Sequence, residues 1–245
     1  MCFRWLERLL WNATGKDIEG NIGKDLGGAD EHRGNLPKDI DVAGILSGRG
    51  NPDDSGQSTN TERVQTVRKI DKIILHHSLT PDNVLLSDTE AIRRYHMSHA
   101  VDSHIVTKDE YDLMRLNAPT KHSFKAPWSE IGYHFLVERD DSDGTDGYDI
   151  KTGRNIEISG AHTSGQNEQS IGICVIGNFD AREPTDEEYT ATAKLCYDLM
   201  RKYGIKHAEI YGHRDFASKS CPGKKFDLDE VRGRVIAMYD MDKES

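Results

Sequence analysis

The chain has 245 residues, which is enough for one sizeable domain with additional segments. Acidic residues outnumber basic ones by 42 to 32, and this net charge of -10 argues against a nucleic-acid-binding protein. Four scattered cysteines are too few for a disulfide scaffold, so we expect reduced thiols. No apolar run approaches the roughly 20 residues of a transmembrane helix, so we expect no membrane span.

Residues 1–11 predict a short amphipathic helix, because apolar side chains recur at helical spacing among charged ones. The pattern favours a helix docked on its own domain, and the alternatives are a protein partner or a membrane surface. Charged residues interrupt the segment and no long apolar region follows, which is not typical of a secretory signal. We therefore expect synthesis in the cytoplasm without a signal peptide.

Residues 12–65 predict a flexible linker. Nearly half of the chain's 22 glycines lie between Gly15 and Gly56, interleaved with Asp, Asn and Ser and with almost no aromatic residues. Such a composition cannot bury much apolar surface. The folded domain is therefore expected over residues 66–245.

The first half of this domain begins with a β-branched strand, Lys72–Ser78, that ends in two adjacent histidines. Neighbours on a strand face opposite ways, so only one of them can face a given site. Two capping boxes follow, one at Ser87–Glu90 opening a helix to about Ala100, and one at Thr107–Glu110 opening a short helix. The histidines of this region are expected to be solvent-exposed or to cap turns: His96, His99, His104 and His122.

The second half predicts a strand at Ile131–Arg139, an acidic turn at 140–147 and a returning strand at Asn155–Ser159. The turn lacks the Asp spacing and the closing glutamate of a calcium loop, so a hairpin loop is the better interpretation. Ile171–Gly177 is apolar enough for a central strand.

The remaining elements are a long helix, a last strand and a final helix. Thr185–Glu188 caps the long helix, which Gly204 ends; the strand is Ala208–Tyr211, and Asp227–Glu230 caps the final helix. Strands and helices alternate along the chain. This order predicts a single α/β domain with a central mixed β-sheet flanked by helices.

The loop from Tyr211 to Pro222 places His213 and Cys221 eight positions apart, with Lys219 two residues before the cysteine. Imidazole and thiolate are ligands that zinc prefers, although such a pair alone is more often structural. Other polar residues end predicted strands: His76 or His77, Tyr133 and His162. The chain lacks His-Glu-x-x-His, Gly-x-Ser-x-Gly and Walker motifs, which excludes the zincin, serine-hydrolase and P-loop nucleotide classes.

Five motifs in order resemble the zinc-dependent N-acetylmuramoyl-L-alanine amidases, in the branch shared by bacteriophage lysozyme-type amidases and peptidoglycan recognition proteins. The resemblance covers about Lys72 to Tyr239. The motifs are Ile74-Leu75-His76-His77-Ser78, Ile131-Gly132-Tyr133-His134-Phe135, Gly160-Ala161-His162-Thr163, the run Ser170 to Phe179, and Gly212-His213-Arg214-Asp215 followed by Cys221-Pro222-Gly223.

The resemblance implies zinc held by His76, His213 and Cys221, with a fourth position open for water. It implies that Tyr133 orients this water or accepts its proton, and that Lys219 stabilises the oxyanion. His162 would contact the substrate or a metal ligand, and His77 would face away. The bond cleaved would join the lactyl group of N-acetylmuramic acid to the L-alanine of the peptidoglycan stem peptide.

Three alternatives accompany this metallohydrolase hypothesis. One is a recognition module that binds peptidoglycan without cleaving it. Another is a cytosolic muropeptide-recycling amidase, although members of that branch usually have an Asp at the position that matches Cys221 in this chain. The third is a phage-particle component in which the first 70 residues tether the amidase. Absence of a signal fits a phage or prophage endolysin that acts on the cell wall after release through a separate pore.

Overall fold

The computed structural model describes residues 68–80, 88–140 and 147–244. The predicted helix 1–11 and linker 12–65 lie outside these ranges, and the domain boundary at residue 66 likewise stays a prediction. The described residues divide into two units, one formed by Ser98–Pro127 and the other by the remaining ranges. The strands are β1 (Lys72–His77), β2 (His99–Val101), β3 (His104–Val106), β4 (Phe124–Lys125), β5 (Phe135–Asp140), β6 (Gly147–Thr152), β7 (Ser170–Val175) and β8 (Ile210–Gly212), and the α-helices are α1 (Thr89–His96), α2 (Lys108–Asn117), α3 (Asp186–Tyr203) and α4 (Leu228–Glu244).

The larger unit is built on a five-stranded mixed sheet with the strand order β6-β5-β7-β1-β8. β7 is the central strand and runs parallel to β1 and β5, and β8 is parallel to β1. Only the β5–β6 pair is antiparallel within this sheet. Every residue of β7 is buried, as expected for a parallel strand covered on both faces. The predicted α/β fold with a mixed central sheet and flanking helices is confirmed.

The two faces of the sheet pack against different elements. Leu75 of β1 and Ile173 of β7 lie in the main core with apolar side chains of α3 and α4. The alternate residues, such as Cys174 of β7, face the other way and join a smaller cluster that includes Leu136 and Ile92 of α1. His76 pairs in register with Cys174 and therefore lies on this second face.

The two helices of the main core begin where predicted, and α3 also ends where predicted. Thr185 and Glu188 form a reciprocal capping box at the start of α3, and Gly204 ends the helix in the left-handed conformation (φ 69°). Asp227 Oδ1 accepts a hydrogen bond from the Asp229 N–H at the start of α4. In the part of the chain that the structure describes, no helix is both long and apolar enough to cross a membrane.

β5 pairs antiparallel with the next strand, as a hairpin requires, but both strands lie at other residues than predicted. The two strands are Phe135–Asp140 and Gly147–Thr152, so the predicted start at Ile131 and the predicted returning strand Asn155–Ser159 are both wrong. Asn155 follows the end of the ladder, and the chain turns there, with Ile158 N–H donating to Asn155 O. β-branched residues at 155–159 indicated a strand, but residues 147–152 already pair with every residue of β5 on that side.

The helix predicted to begin at Ser87 and to reach Ala100 is shorter. Its N-cap is Asp88, whose carboxylate accepts a hydrogen bond from Ala91 N–H, and it ends at His96. Ala100 belongs instead to β2. The Ser98–Pro127 unit contains the three-stranded sheet β3-β2-β4 and α2, which starts with the predicted Thr107–Glu110 capping box.

Candidate metal centre

β1 delivers His76 to the second face of the sheet and His77 to the first. His77 Nδ1 accepts a hydrogen bond from Phe179 N–H (3.3 Å), and its ring stacks on that phenylalanine. His76 is 1% exposed and its ring lies 4.7 Å from that of His213. The alternation of the strand thus separates the two adjacent histidines, as the sequence predicted.

The loop after β8 folds back so that His213 and Cys221 approach each other. Arg214 closes it: the backbone N–H donates to Cys221 O (2.7 Å), and the guanidinium donates to Gly223 O and Phe226 O. At the start of the loop, Gly212 N–H donates to the Asp215 carboxylate. These bonds fix an irregular segment that has no strand partner beyond Gly212.

One ligand atom from each of His76, His213 and Cys221 lies within 4.8 Å of the other two, and Cys221 Sγ is 3.6 Å from His76 Nδ1. Ligands bound tetrahedrally at 2.0–2.3 Å from a zinc ion would lie roughly 3.3–3.8 Å apart. The three donors therefore need only small shifts to enclose a single ion.

The electrostatics of this cluster suit a cation. Burial, and then the neighbouring His162, lower the pKa of His76 well below its usual value, and burial followed by Lys219 lowers that of His213. Neutral imidazole is the form that binds metal. Burial raises the pKa of the Cys221 thiol to about 11, so a metal would displace its proton at neutral pH. The donor set fits a zinc ion.

His162 lies directly behind His76. Its Nδ1 is 3.0 Å from His76 Nε2, and Thr163 Oγ1 is 3.3 Å from the same atom. Because His76 Nδ1 faces Cys221, Nε2 is the nitrogen that can carry the proton and donate a hydrogen bond to His162. The structure thus places His162 against His76, in contact with a candidate metal ligand.

Two glycines make room for the His162 ring, which is 9% exposed. A Cβ atom at Gly160 would lie 2.5 Å from His162 Cδ2, and one at Gly172 would lie 2.4 Å from it. Both distances are far below van der Waals contact. Any side chain at either position would displace the ring.

Tyr133 and Lys219 are both near the cluster. The Tyr133 ring is 5.1 Å from that of His76, and burial together with the Cys174 and Cys221 thiols raises its pKa well above the usual range. Lys219 is exposed, and its charge contributes to lowering the pKa of His76, His213 and Cys221. The structure brings all six predicted site residues together.

The sequence interpretation of His96 was wrong. This residue is 8% exposed, and its Nδ1 accepts a hydrogen bond from Gly132 N–H (3.1 Å) beside Tyr133. Its ring lies 4.5 Å from Trp128 and 5.5 Å from Tyr133. The available signal was its position four residues after Ile92, on the face of α1 that packs on the sheet.

An α/β domain in which two histidines and a cysteine converge in this way belongs to the class of domains able to hold a metal ion. A family model described as N-acetylmuramoyl-L-alanine amidase matches residues 66–224, well over half of the chain. The chain therefore belongs to the N-acetylmuramoyl-L-alanine amidase family.

Similar proteins include both enzymes and recognition proteins. Peptidoglycan-recognition protein SC2 of Drosophila melanogaster is 32% identical over 126 residues, which are 51% of this chain and 65% of that protein. The endolysin of Escherichia phage T7 is 34% identical over 106 residues, which are 41% of this chain and 63% of the endolysin. The chain thus spans slightly less than two thirds of these relatives' own length. Among solved structures, the endolysin amidase LysCS from Clostridium intestinale is 26% identical, with a TM-score of 0.47 over 68% of this chain and 84% of that one.

Proposed function

We propose that this protein is a zinc-dependent N-acetylmuramoyl-L-alanine amidase that hydrolyses the amide between N-acetylmuramic acid and the L-alanine of peptidoglycan stem peptides. The observation that carries the proposal is the convergence of His76, His213 and Cys221 within 4.8 Å, on the sheet face that also carries His162. Membership of the amidase family supports the reaction. Residues 66–245 would form the catalytic domain, after the helix predicted at 1–11 and the linker predicted at 12–65.

Zinc would be held by His76, His213 and Cys221. When bound, it would polarise the amide carbonyl and lower the pKa of a coordinated water to about 7. His162 Nδ1 would accept a hydrogen bond from His76 Nε2–H, and this bond would fix the orientation and tautomer of the His76 ring.

The other two residues would act on the reacting groups. Tyr133, like any tyrosine, keeps its hydroxyl proton at neutral pH, and burial raises its pKa further, so it would orient the attacking water through hydrogen bonds. The exposed Lys219 ammonium would donate a hydrogen bond to the amide oxygen of the substrate, on which negative charge develops. His162 would serve the site through His76 as well as by contact with substrate.

The cellular role that follows is bacteriolytic cleavage of the cell wall, as for the phage endolysins that this chain resembles. A module that recognises peptidoglycan without cutting it is the second candidate, because recognition proteins are similar to the chain over a comparable length. Cys221 argues against a muropeptide-recycling amidase, because members of that branch usually have an Asp at the matching position.

The decisive experiment treats isolated peptidoglycan with the zinc-loaded full chain and counts new alanine N-termini and new reducing sugar ends. We expect alanine N-termini alone, their loss on chelation and their return with zinc. Cys221→Ala should abolish them, whereas Cys196→Ala, the same substitution in the main core, should not. Reducing ends would contradict the proposed bond. Wall binding without new ends would favour the recognition module.

A further inference from the structure

The segment from Asn155 to Gln169 carries His162 and Thr163 to the back of His76, yet it has almost no regular structure of its own. Within it lies a single 3-10 turn, Asn167–Gln169. Its carbonyl groups therefore have no β-ladder to satisfy them, and other donors must supply their hydrogen bonds.

Arg68, just before β1, donates to four carbonyls of this segment and to the first carbonyl of β7. Nε donates to Glu168 O (3.1 Å), Nη1 to Ile156 O (2.6 Å) and Ile158 O (2.8 Å), and Nη2 to Asn167 O (2.9 Å) and Ser170 O (2.9 Å). These five carbonyls lie in two stretches, 156–158 and 167–170, that flank His162 in the sequence. A guanidinium has five N–H donors in a fixed planar fork, and all five are used here.

A buried histidine supports the same arrangement. His134 Nδ1 accepts from Gly172 N–H (3.0 Å), so its Nε2 carries the proton and donates to Ile158 O (3.0 Å). Arg68 Nη1 lies 3.2 Å from this Nε2 and shares the Ile158 acceptor. Burial lowers the pKa of His134 to about 4, which keeps the ring neutral beside the guanidinium.

Asn167 connects the guanidinium to the site. Its backbone carbonyl accepts from Arg68, and its side-chain Oδ1 accepts from the N–H groups of His162 (2.9 Å) and Thr163 (2.8 Å). Those two residues in turn contact His76 Nε2. An unbroken series of hydrogen bonds therefore runs from Arg68 to a candidate metal ligand.

We propose that Arg68 is a positioning residue of the amidase site. Its guanidinium holds the segment from Asn155 to Gln169 in the conformation that places His162 Nδ1 against His76 Nε2. This inference rests on the proposed function for its catalytic consequence. The structural part, the placement of His162 and Thr163 by Arg68 through Asn167, stands independently of the reaction.

The test compares Arg68→Ala and Arg68→Lys with Arg234→Ala in the full chain. Arg234 is a suitable control because it also makes several hydrogen bonds, but these stay within α4 (Glu230) or join α4 to α3 (Asp186 and Thr190). The measurements are amide hydrogen exchange at His162 and Thr163, zinc affinity by chelator competition, and kcat and KM on peptidoglycan fragments.

In Arg68→Ala, we expect at least tenfold faster exchange at both amides and a zinc affinity lowered about 10–100-fold, the range for residues that orient metal ligands. The loss of activity should fall on kcat rather than KM, because Arg68 orients the reacting centre. Methylguanidinium should restore part of each property, and Arg68→Lys, with three donors, should be intermediate. Arg234→Ala should change none of them.

Exchange protection and zinc affinity within twofold of wild type in Arg68→Ala would overturn the proposal. If Arg68→Ala does not fold, Arg68→Lys decides, and wild-type exchange in that variant would also overturn it. If the wild-type chain binds zinc but cleaves nothing, the proposed function fails. The exchange and affinity measurements would then still accept or reject the role of Arg68.

Discussion

The space occupied by the His162 ring depends on Gly172, and substituting alanine there tests the geometry of the site. The added Cβ would lie 2.4 Å from His162 Cδ2 and 2.6 Å from Nε2, whereas ordinary contact begins at 3.4 Å. The ring must therefore retreat by about 1.0 Å. It cannot do so freely, because Gly160 lies against the same ring, where even a Cβ atom would come within 2.5 Å of His162 Cδ2.

The cost of Gly172→Ala has two parts. Overpacking of a buried site costs about 1–3 kcal/mol. A retreat of about 1 Å would also break the 3.0 Å bond to His76 Nε2, which adds about 1–3 kcal/mol for a buried group left unpaired. We expect the free energy of unfolding to fall by about 2–6 kcal/mol and zinc affinity to fall about 10–100-fold.

Denaturant unfolding and chelator competition would measure these two quantities. The matched control is Gly233→Ala in α4, where nothing lies within 4 Å of the new Cβ, so alanine should stabilise the helix by about 0.5–1 kcal/mol. Adding His162→Ala should relieve the strain of Gly172→Ala, giving a coupling energy of about 1–3 kcal/mol. Additive effects, or a Gly172→Ala variant with wild-type stability and affinity, would refute the reasoning.

Three further predictions concern charge, pH and backbone conformation. If Lys219 stabilises the oxyanion, Lys219→Ala should lower kcat about 10²–10³-fold with little change in zinc affinity. The control, Lys224→Ala, should leave kcat unchanged. Equal kcat values for the two variants would show that Lys219 has no part in the mechanism. Burial lowers the pKa of His77 and of His134 to about 4, so between pH 6.5 and 4 the unfolded chain takes up protons that the folded chain does not. The free energy of unfolding of the metal-free protein should therefore fall with falling pH by up to about 1.4 kcal/mol per pH unit for each histidine, and a flat profile in denaturant titrations would contradict this. Gly204→Ala should cost about 1 kcal/mol in thermal unfolding because the residue adopts φ 69°, and an unchanged melting temperature would argue against that conformation.

The sequence alone determined the elements whose signals are local. The capping boxes at Thr107 and Thr185 and the terminating Gly204 lie where predicted, because each depends on residues within one helical turn. The central strand was predictable because an apolar β-branched run is buried on both faces wherever it pairs. The candidate ligands were found because the amidase motifs occur in order along the chain.

Tertiary structure decided everything that depends on contacts between distant residues. The start of β5 and the position of its partner strand follow from the register with Thr152, and no local propensity encodes a register. His96 was predicted to be exposed or to cap a turn, but it is buried against Trp128 and Tyr133. Arg68 shows the limit most clearly: its acceptors lie about 90–100 residues away. A lone arginine before a strand carries no sign of them, because hydrogen bonds to backbone carbonyls leave no pattern in residue type.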